Sequence, residues 1–195
     1  MSIKNSRTVC SPMDWEQFLT LVSDLKKAKD YRFLLLVSVG CYCGLRISDI
    51  LELKWIDIRS KDELEIIETK TGKFRRITFN SVLKDLIEIC FDKMSARKNC
   101  DTTQYIFANR LGTKLSRQYV NRKLHTIFSL NKIKVLNGSS HTLRKTFGRR
   151  VYENNNRNEA ALIILSSIFN HQNISVTRRY IGINDEQIKN VYVNL

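Results

Sequence analysis

One proline, Pro12, stands among 195 residues, and there are only seven glycines. Proline removes a backbone N–H and glycine carries the largest backbone entropy loss, so these two residues are what interrupts helices. A chain this poor in both is mostly helical wherever apolar residues recur at helical spacing. Hydrophobic residues make up 43% of the chain, enough for the core of one domain of this length.

The spacing can be followed along the chain. Residues 1–10 read as a flexible basic arm. Ser11-Pro12 predicts a helix start, with Ser11 as N-cap and Pro12 in the first helical position. Trp15, Phe18, Leu19, Val22 and Leu25 then give one apolar face, closed by Lys26, Lys27 and Lys29. Residues 33–43 are apolar on all sides and predict a buried helix that ends at Gly44. A further helix is expected directly after it, with Ile47, Ile50, Leu51 and Trp55 as its core face. The period then changes. Two β-type runs, 64–69 and 75–79, flank Thr71-Gly72 and predict a hairpin. Helical spacing returns over 81–94, followed by a charged loop at 95–103, a turn at 109–113 and a helix over 116–130. A loop at 137–140 leads into a helix with Leu143, Phe147 and Val151 on one side. After a polar break at 154–158 come an apolar helix over 160–168, a segment over 171–180 and a short amphipathic tail over 186–193. The expected fold is mainly α with a small antiparallel β-hairpin, in a single domain spanning 11–195.

Lys and Arg number 33 against 19 Asp and Glu, a net charge of +14. That excess favours a polyanionic partner, nucleic acid before membrane. The longest apolar stretch, 33–43, is too short to span a bilayer, and the first twelve residues are too polar for a signal peptide. Five cysteines without a CxxC, and three histidines outside any HExxH or Cys/His cluster, predict reduced thiols, several of them buried, and no structural zinc. The expectation is a soluble, cytoplasmic protein.

Four groups of residues can carry chemistry. His141 and Arg144 lie three apart at a helix start and share a face, where both can hold one phosphodiester. Arg46 follows a buried helix directly and must find an anion or water. Asp49, one turn on, can satisfy it or orient it toward a substrate phosphate. Lys70 and Lys73 sit on the hairpin turn, where a lysine either projects into a groove or is simply solvated. Tyr180 follows Thr177, Arg178 and Arg179. A free phenol titrates near ~10 and is a poor nucleophile at neutral pH; a cluster of cations would lower that value.

In this order and spacing the sequence resembles the tyrosine recombinase (phage integrase) family over residues 11–185. GLRISDILELKW is similar to that family's first Arg box, HTLRKTF to its HxxR box and TKTGKFRRITF to its lysine-bearing hairpin. NHQNISVTRRYIG is similar to its closing segment, with nine residues from His171 to Tyr180. Phe169-Asn170 stands where the family has Leu-Gly. The N-terminal core-binding domain that most members carry is not found before residue 11.

The resemblance implies a catalytic set of Arg46, Lys70, His141, Arg144, His171 and Tyr180, with Lys73 as the alternative lysine. Arg46 and Arg144 would grip one scissile phosphate, Tyr180 would attack it to form a 3′-phosphotyrosyl bond, and Lys70 would protonate the leaving 5′-oxygen. His141 would assist proton transfer, and His171 would hydrogen-bond the phosphate. No metal or other cofactor is expected. The partner would be double-stranded DNA, with self-association into a synaptic tetramer and accessory DNA-bending proteins. Lys73, Lys114, Arg117, Arg122, Lys123, Lys145, Arg149, Arg150 and Arg178 are the expected backbone-phosphate contacts, and the helix over 116–130 is a candidate for the groove. Two rival activities use the same fold: type IB topoisomerase-like relaxation and DNA binding without catalysis.

Overall fold

The structure, a computed structural model, describes residues 9–95, 101–183 and 191–193. Most of the expected basic arm, part of the charged loop with Cys100, and most of the C-terminal tail lie outside the described residues. The elements run α1 (Trp15–Lys27), α2 (Tyr31–Cys43), α3 (Ile47–Ile50), α4 (Trp55–Ile58), β1 (Glu63–Ile67), β2 (Phe74–Thr78), α5 (Ser81–Ser95), α6 (Arg117–Leu130), α7 (Ser140–Asn154), α8 (Glu159–Phe169) and α9 (Ile174–Tyr180).

The all-apolar run predicted as a buried helix is α2, which packs against α1, α5 and α7. Its last turn approaches α7 closely. A Cβ at Gly40 would come within 2.8 Å of Leu143, so the glycine sets the spacing of the two helices. The main core gathers Phe18, Leu34, Leu35, Ile50, Ile58, Phe107 and Leu124 around this pair. A second, smaller cluster holds Leu162, Leu165, Phe169, Ile181 and Ile183. Helix α7 joins the two, with Leu143 in the first and Phe147 and Val151 against the second.

Two local expectations are corrected. Ser11 does not cap α1. Its N–H donates to the Leu136 carbonyl and its hydroxyl accepts from the Leu136 N–H, while the Met13 N–H donates to Thr146 Oγ1 at 2.9 Å. These long-range bonds keep residues 11–13 out of the helix, which starts after Asp14. The single helix expected after Gly44 is instead two short turns, α3 and α4. The chain opens between them so that the Leu53 carbonyl accepts from the Ile106 N–H, and Asp57 caps the new start by accepting from the Lys54 N–H at 2.7 Å.

The hairpin forms as expected, with Glu63 opposite Thr78 and Ile67 opposite Phe74. Among the described residues it is the only sheet. Cys10, Cys41, Cys43 and Cys90 are buried free thiols. No helix of the described residues is long and apolar enough to cross a membrane.

Candidate active site

Arg46 is aimed by the end of α2. Gly44 closes that helix in the left-handed conformation, at φ 60, and a Cβ there would run into the Phe147 ring. The chain reverses, and the Arg46 side chain crosses to the C-terminus of α8. There Nη2 donates to the Phe169 carbonyl at 3.2 Å, and Nη1 pairs with Glu68 Oε2 at 2.6 Å. Arg144 reaches the same place from α7. One Nη donates to the Gly44 carbonyl and the other to the Phe169 carbonyl at 3.3 Å, with the guanidinium 4.4 Å above the Phe169 ring. The last carbonyls of a helix have no partner within it, so the end of α8 offers an acceptor that both arginines share. Arg144 is only 4% exposed. Burial pulls its pKa down to about 10, against the opposing influence of Tyr180, and it stays cationic at neutral pH.

The carboxylate that meets Arg46 is not the expected Asp49. Asp49 Oδ1 instead accepts from the Thr69 N–H at 2.9 Å, which fixes the hairpin to α3. Glu68 takes the arginine because the inward side of β1 reads Leu64, Ile66 and then Glu68, so the hairpin carries this side chain under its own turn. Burial works against its ionisation. Hydrogen bonds from Thr71, Arg46 and Arg75 override burial and hold the carboxyl at about 2.

His171, Tyr180 and His141 complete the wall. The His171 ring lies 5.1 Å from the Tyr180 ring, and its Nδ1 is 2.9 Å from Thr177 Oγ1. Burial, then the charges of Arg144 and Arg46, lower His171 to about 4. Desolvation by the cleft walls, then Lys145, Arg144, Lys70 and Arg117, lower His141 as well. Both rings are therefore neutral at pH 7. The expected depression of the Tyr180 pKa does not occur. Burial raises the phenol to about 12, with Arg144 and Arg46 only partly offsetting it.

All six residues of the expected catalytic set line one cleft of about 430 Å³: Arg46, Lys70, His141, Arg144, His171 and Tyr180. Of the two candidate lysines, Lys70 borders this cleft. Lys73 lies outside it, its Nζ donating to Asn170 Oδ1 at 2.5 Å. Arg117, at the start of α6, is exposed and borders the cleft beside His141. Arg122 and Lys123 are exposed on the same helix.

Other expected phosphate contacts are already engaged. Lys114 pairs with Glu52 at 2.5 Å, Arg149 with Glu153 at 2.7 Å and Arg178 with Glu159 at 3.7 Å, while Arg150 lies 4.9 Å over the Trp15 ring. Lys145 is a correction. It is buried, its Nζ donates to the Cys10 carbonyl at 2.6 Å and lies 5.1 Å over the Tyr180 ring, so it supports the tyrosine from behind and does not face solvent. Glu68 and Arg75 belong to the site without a motif in the sequence that marks them; a charge at the inward parity of a strand is the available sign for Glu68. No cluster of His, Cys, Asp or Glu among the described residues can hold a metal ion.

Residues 11–187 match the model of the phage integrase family. The chain belongs to the phage integrase family, the tyrosine recombinases. It is 33% identical over 168 residues to the probable integrase/recombinase YoeC of Bacillus subtilis, covering 86% of this chain and 84% of that protein. It is 23% identical over 182 residues to tyrosine recombinase XerH of Campylobacter jejuni, covering 92% of this chain but 49% of that protein. The chain thus spans most of the length of YoeC and about half that of XerH. In structure it resembles a XerH recombinase bound to a palindromic difH substrate, with a TM-score of 0.70 at 17% identity, over 93% of this chain and 52% of that one. The departure of this tyrosine recombinase from the family's Leu-Gly has a structural resolution. Phe169 is buried against Phe147 and Tyr180, and Asn170 adopts the left-handed conformation at φ 55 that asparagine tolerates better than most residues.

Proposed function

We propose that this chain cuts and rejoins double-stranded DNA as a site-specific recombinase, through a covalent 3′-phosphotyrosyl intermediate on Tyr180. The observation that carries the proposal is the cleft itself, in which three arginines, two neutral histidines, one lysine and one tyrosine face a single space.

Each group has a role that its surroundings suit. A guanidinium carries about five donors, and the bonds named above occupy two on Arg144. The remaining N–H groups of Arg46 and Arg144 bind the non-bridging oxygens of the scissile phosphate and stabilise the charge that builds as phosphorus becomes five-coordinate. Tyr180 Oη forms the new bond to phosphorus while the bond to O5′ breaks. The phenol of this chain is protonated at pH 7, so its proton must leave during attack. His141 is neutral there and accepts it. Lys70, exposed on the turn, supplies a proton to O5′. If Thr177 donates its hydroxyl hydrogen to His171 Nδ1, the ring presents Nε2–H to the phosphate. The bond energy is kept in the phosphotyrosyl linkage, and a 5′-hydroxyl reverses the step on the same or a partner duplex.

Arg117, Arg122 and Lys123 extend the positive surface from the cleft along α6 and hold flanking phosphates. The XerH structure named above is a complex with a DNA substrate, which supports the duplex as the partner here. Strand exchange between two sites further requires self-association, for which a tetramer on paired sites, aided by DNA-bending proteins, is our reading. The chain would then work in the cytoplasm, on the nucleoid.

The test uses a pool of random-sequence duplexes nicked to prevent religation. The wild-type chain is expected to leave a DNA adduct that survives denaturing electrophoresis, and Tyr180→Phe is expected to leave none. Identical results from the two chains would remove the enzymatic reading.

A further inference from the structure

Glu68 is 1% exposed and ionised, and the mechanism above gives it no role. Its two carboxylate oxygens meet three donors. Oε2 accepts from Thr71 Oγ1 at 2.7 Å and pairs with Arg46 Nη1 at 2.6 Å, and Oε1 accepts from Arg75 Nη1 at 3.1 Å. Its backbone closes the hairpin turn as well. The Glu68 carbonyl accepts from the Gly72 N–H at 2.8 Å, and the Glu68 N–H donates to the Lys73 carbonyl at 2.9 Å. Lys70 sits inside that turn. One residue therefore touches the phosphate-facing arginine with its side chain and the lysine-bearing turn with both side chain and main chain.

A buried carboxylate beside the cleft weakens its positive potential, and attraction of a phosphate would be greater without it. Its geometry offers a compensating gain, since a carboxylate accepts from two guanidinium groups and a hydroxyl at once and fixes all three. We propose that Glu68 is a positioning residue that locks Arg46 and the Lys70 turn into one arrangement, so that the phosphate-binding cation and the proton donor meet the same phosphodiester. This rests on the recombinase reading for its consequence in catalysis, but the positioning itself can be tested without DNA.

Charge and position predict opposite signs. Glu68→Gln leaves the side-chain shape nearly unchanged and adds one positive charge to the site. Glutamine has a single acceptor oxygen, and its NH₂ faces an arginine. The probe is inorganic phosphate at low ionic strength, followed at the His171 ring resonances so that binding elsewhere on the basic surface is not counted. Positioning predicts that Glu68→Gln binds phosphate at least fivefold more weakly than the wild type; equal or tighter binding, as charge alone dictates, overturns the proposal. Should the glutamine chain fail to fold, Glu68→Asp keeps the charge on an arm too short to meet both arginines. It is expected to bind at least threefold more weakly, and wild-type affinity overturns the proposal.

The second arm uses a duplex recovered from the nicked pool with the wild-type chain. Adduct formation by Glu68→Gln is expected to slow at least 30-fold at saturating protein, where a weaker hold on one phosphate does not limit the rate. A wild-type rate at saturating protein overturns the proposal. If the wild-type chain captures no DNA at all, the recombinase reading fails and the phosphate arm alone decides the role of Glu68.

Discussion

Arg144 and Lys70 line one cleft and carry one charge each, but the fold holds them in opposite ways. Arg144 lies in the buried first turns of α7, its guanidinium fixed on two backbone carbonyls and over an aromatic ring. Lys70 is exposed on a hairpin turn. The difference matches the tasks proposed for them. Stabilising charge on phosphorus works best with donors already in place, because nothing has to reorganise as the charge appears. Delivering a proton needs an amine that can approach a leaving oxygen and then exchange with solvent, which suits an exposed chain end.

Substitutions at the two positions are expected to separate these demands. Arg144→Ala takes away a phosphate-binding group and leaves the Gly44 carbonyl without its donor. We expect adduct formation to fall by about 10³-fold, the upper end for loss of a preorganised donor, and stability to fall by about 1–3 kcal/mol. Trapping kinetics and urea denaturation measure the two losses together. Lys70→Ala is expected to slow cleavage by about 10²-fold, as loss of a general acid does, with stability changed by less than about 0.5 kcal/mol. A duplex with sulfur at the bridging 5′ position has a leaving group that needs no proton. It should restore the Lys70→Ala rate and leave the Arg144→Ala rate low; rescue of both would erase the contrast.

The histidines give a smaller, pH-dependent effect. An unfolded histidine takes up its proton near pH 6.5, whereas folded His171 does so only at about 4. Between those values the unfolded chain holds more protons, so stability rises as pH goes from about 4 to 6.5 and levels off above. His141 adds in the same direction. Denaturation curves across this window should be flatter for His171→Gln than for the wild type, whereas an unchanged slope would argue against a neutral His171. The smallest effect is at the outer surface. Lys123→Ala should reduce the slope of log affinity for duplex against log salt by about 1, and the buried Lys145 should contribute no such change when replaced by methionine.

Where the sequence could be read, the information was local. The breaker-poor composition, the all-apolar run of α2 and the β-type alternation at 63–79 are properties of neighbouring residues, and those elements formed as expected. The spacing of His141 with Arg144, and of His171 with Tyr180, was legible for the same reason. What escaped depended on contacts distant along the chain. Asp49 was the natural partner for Arg46 on helical spacing, but the hairpin folds back and delivers Glu68. Ser11 and Pro12 carry a helix-start signature, yet bonds to Leu136 and Thr146 decide their conformation. Lys145 looks like a surface cation beside Arg144. The first turns of α7 are enclosed from residue 142 to residue 146, so helical periodicity gave no sign of which side faced water. The Tyr180 pKa is raised by burial, which a run of neighbouring cations in the sequence does not reveal.

The most direct test of the account is the identity of the residue that becomes bonded to DNA. After trapping on a nicked duplex, the adduct is digested with nuclease and protease and the modified peptide is sequenced by mass spectrometry. The expected result is a nucleotide carried on Tyr180 through its phenolic oxygen. A nucleotide on any other residue, or an adduct that persists in Tyr180→Phe, would contradict it.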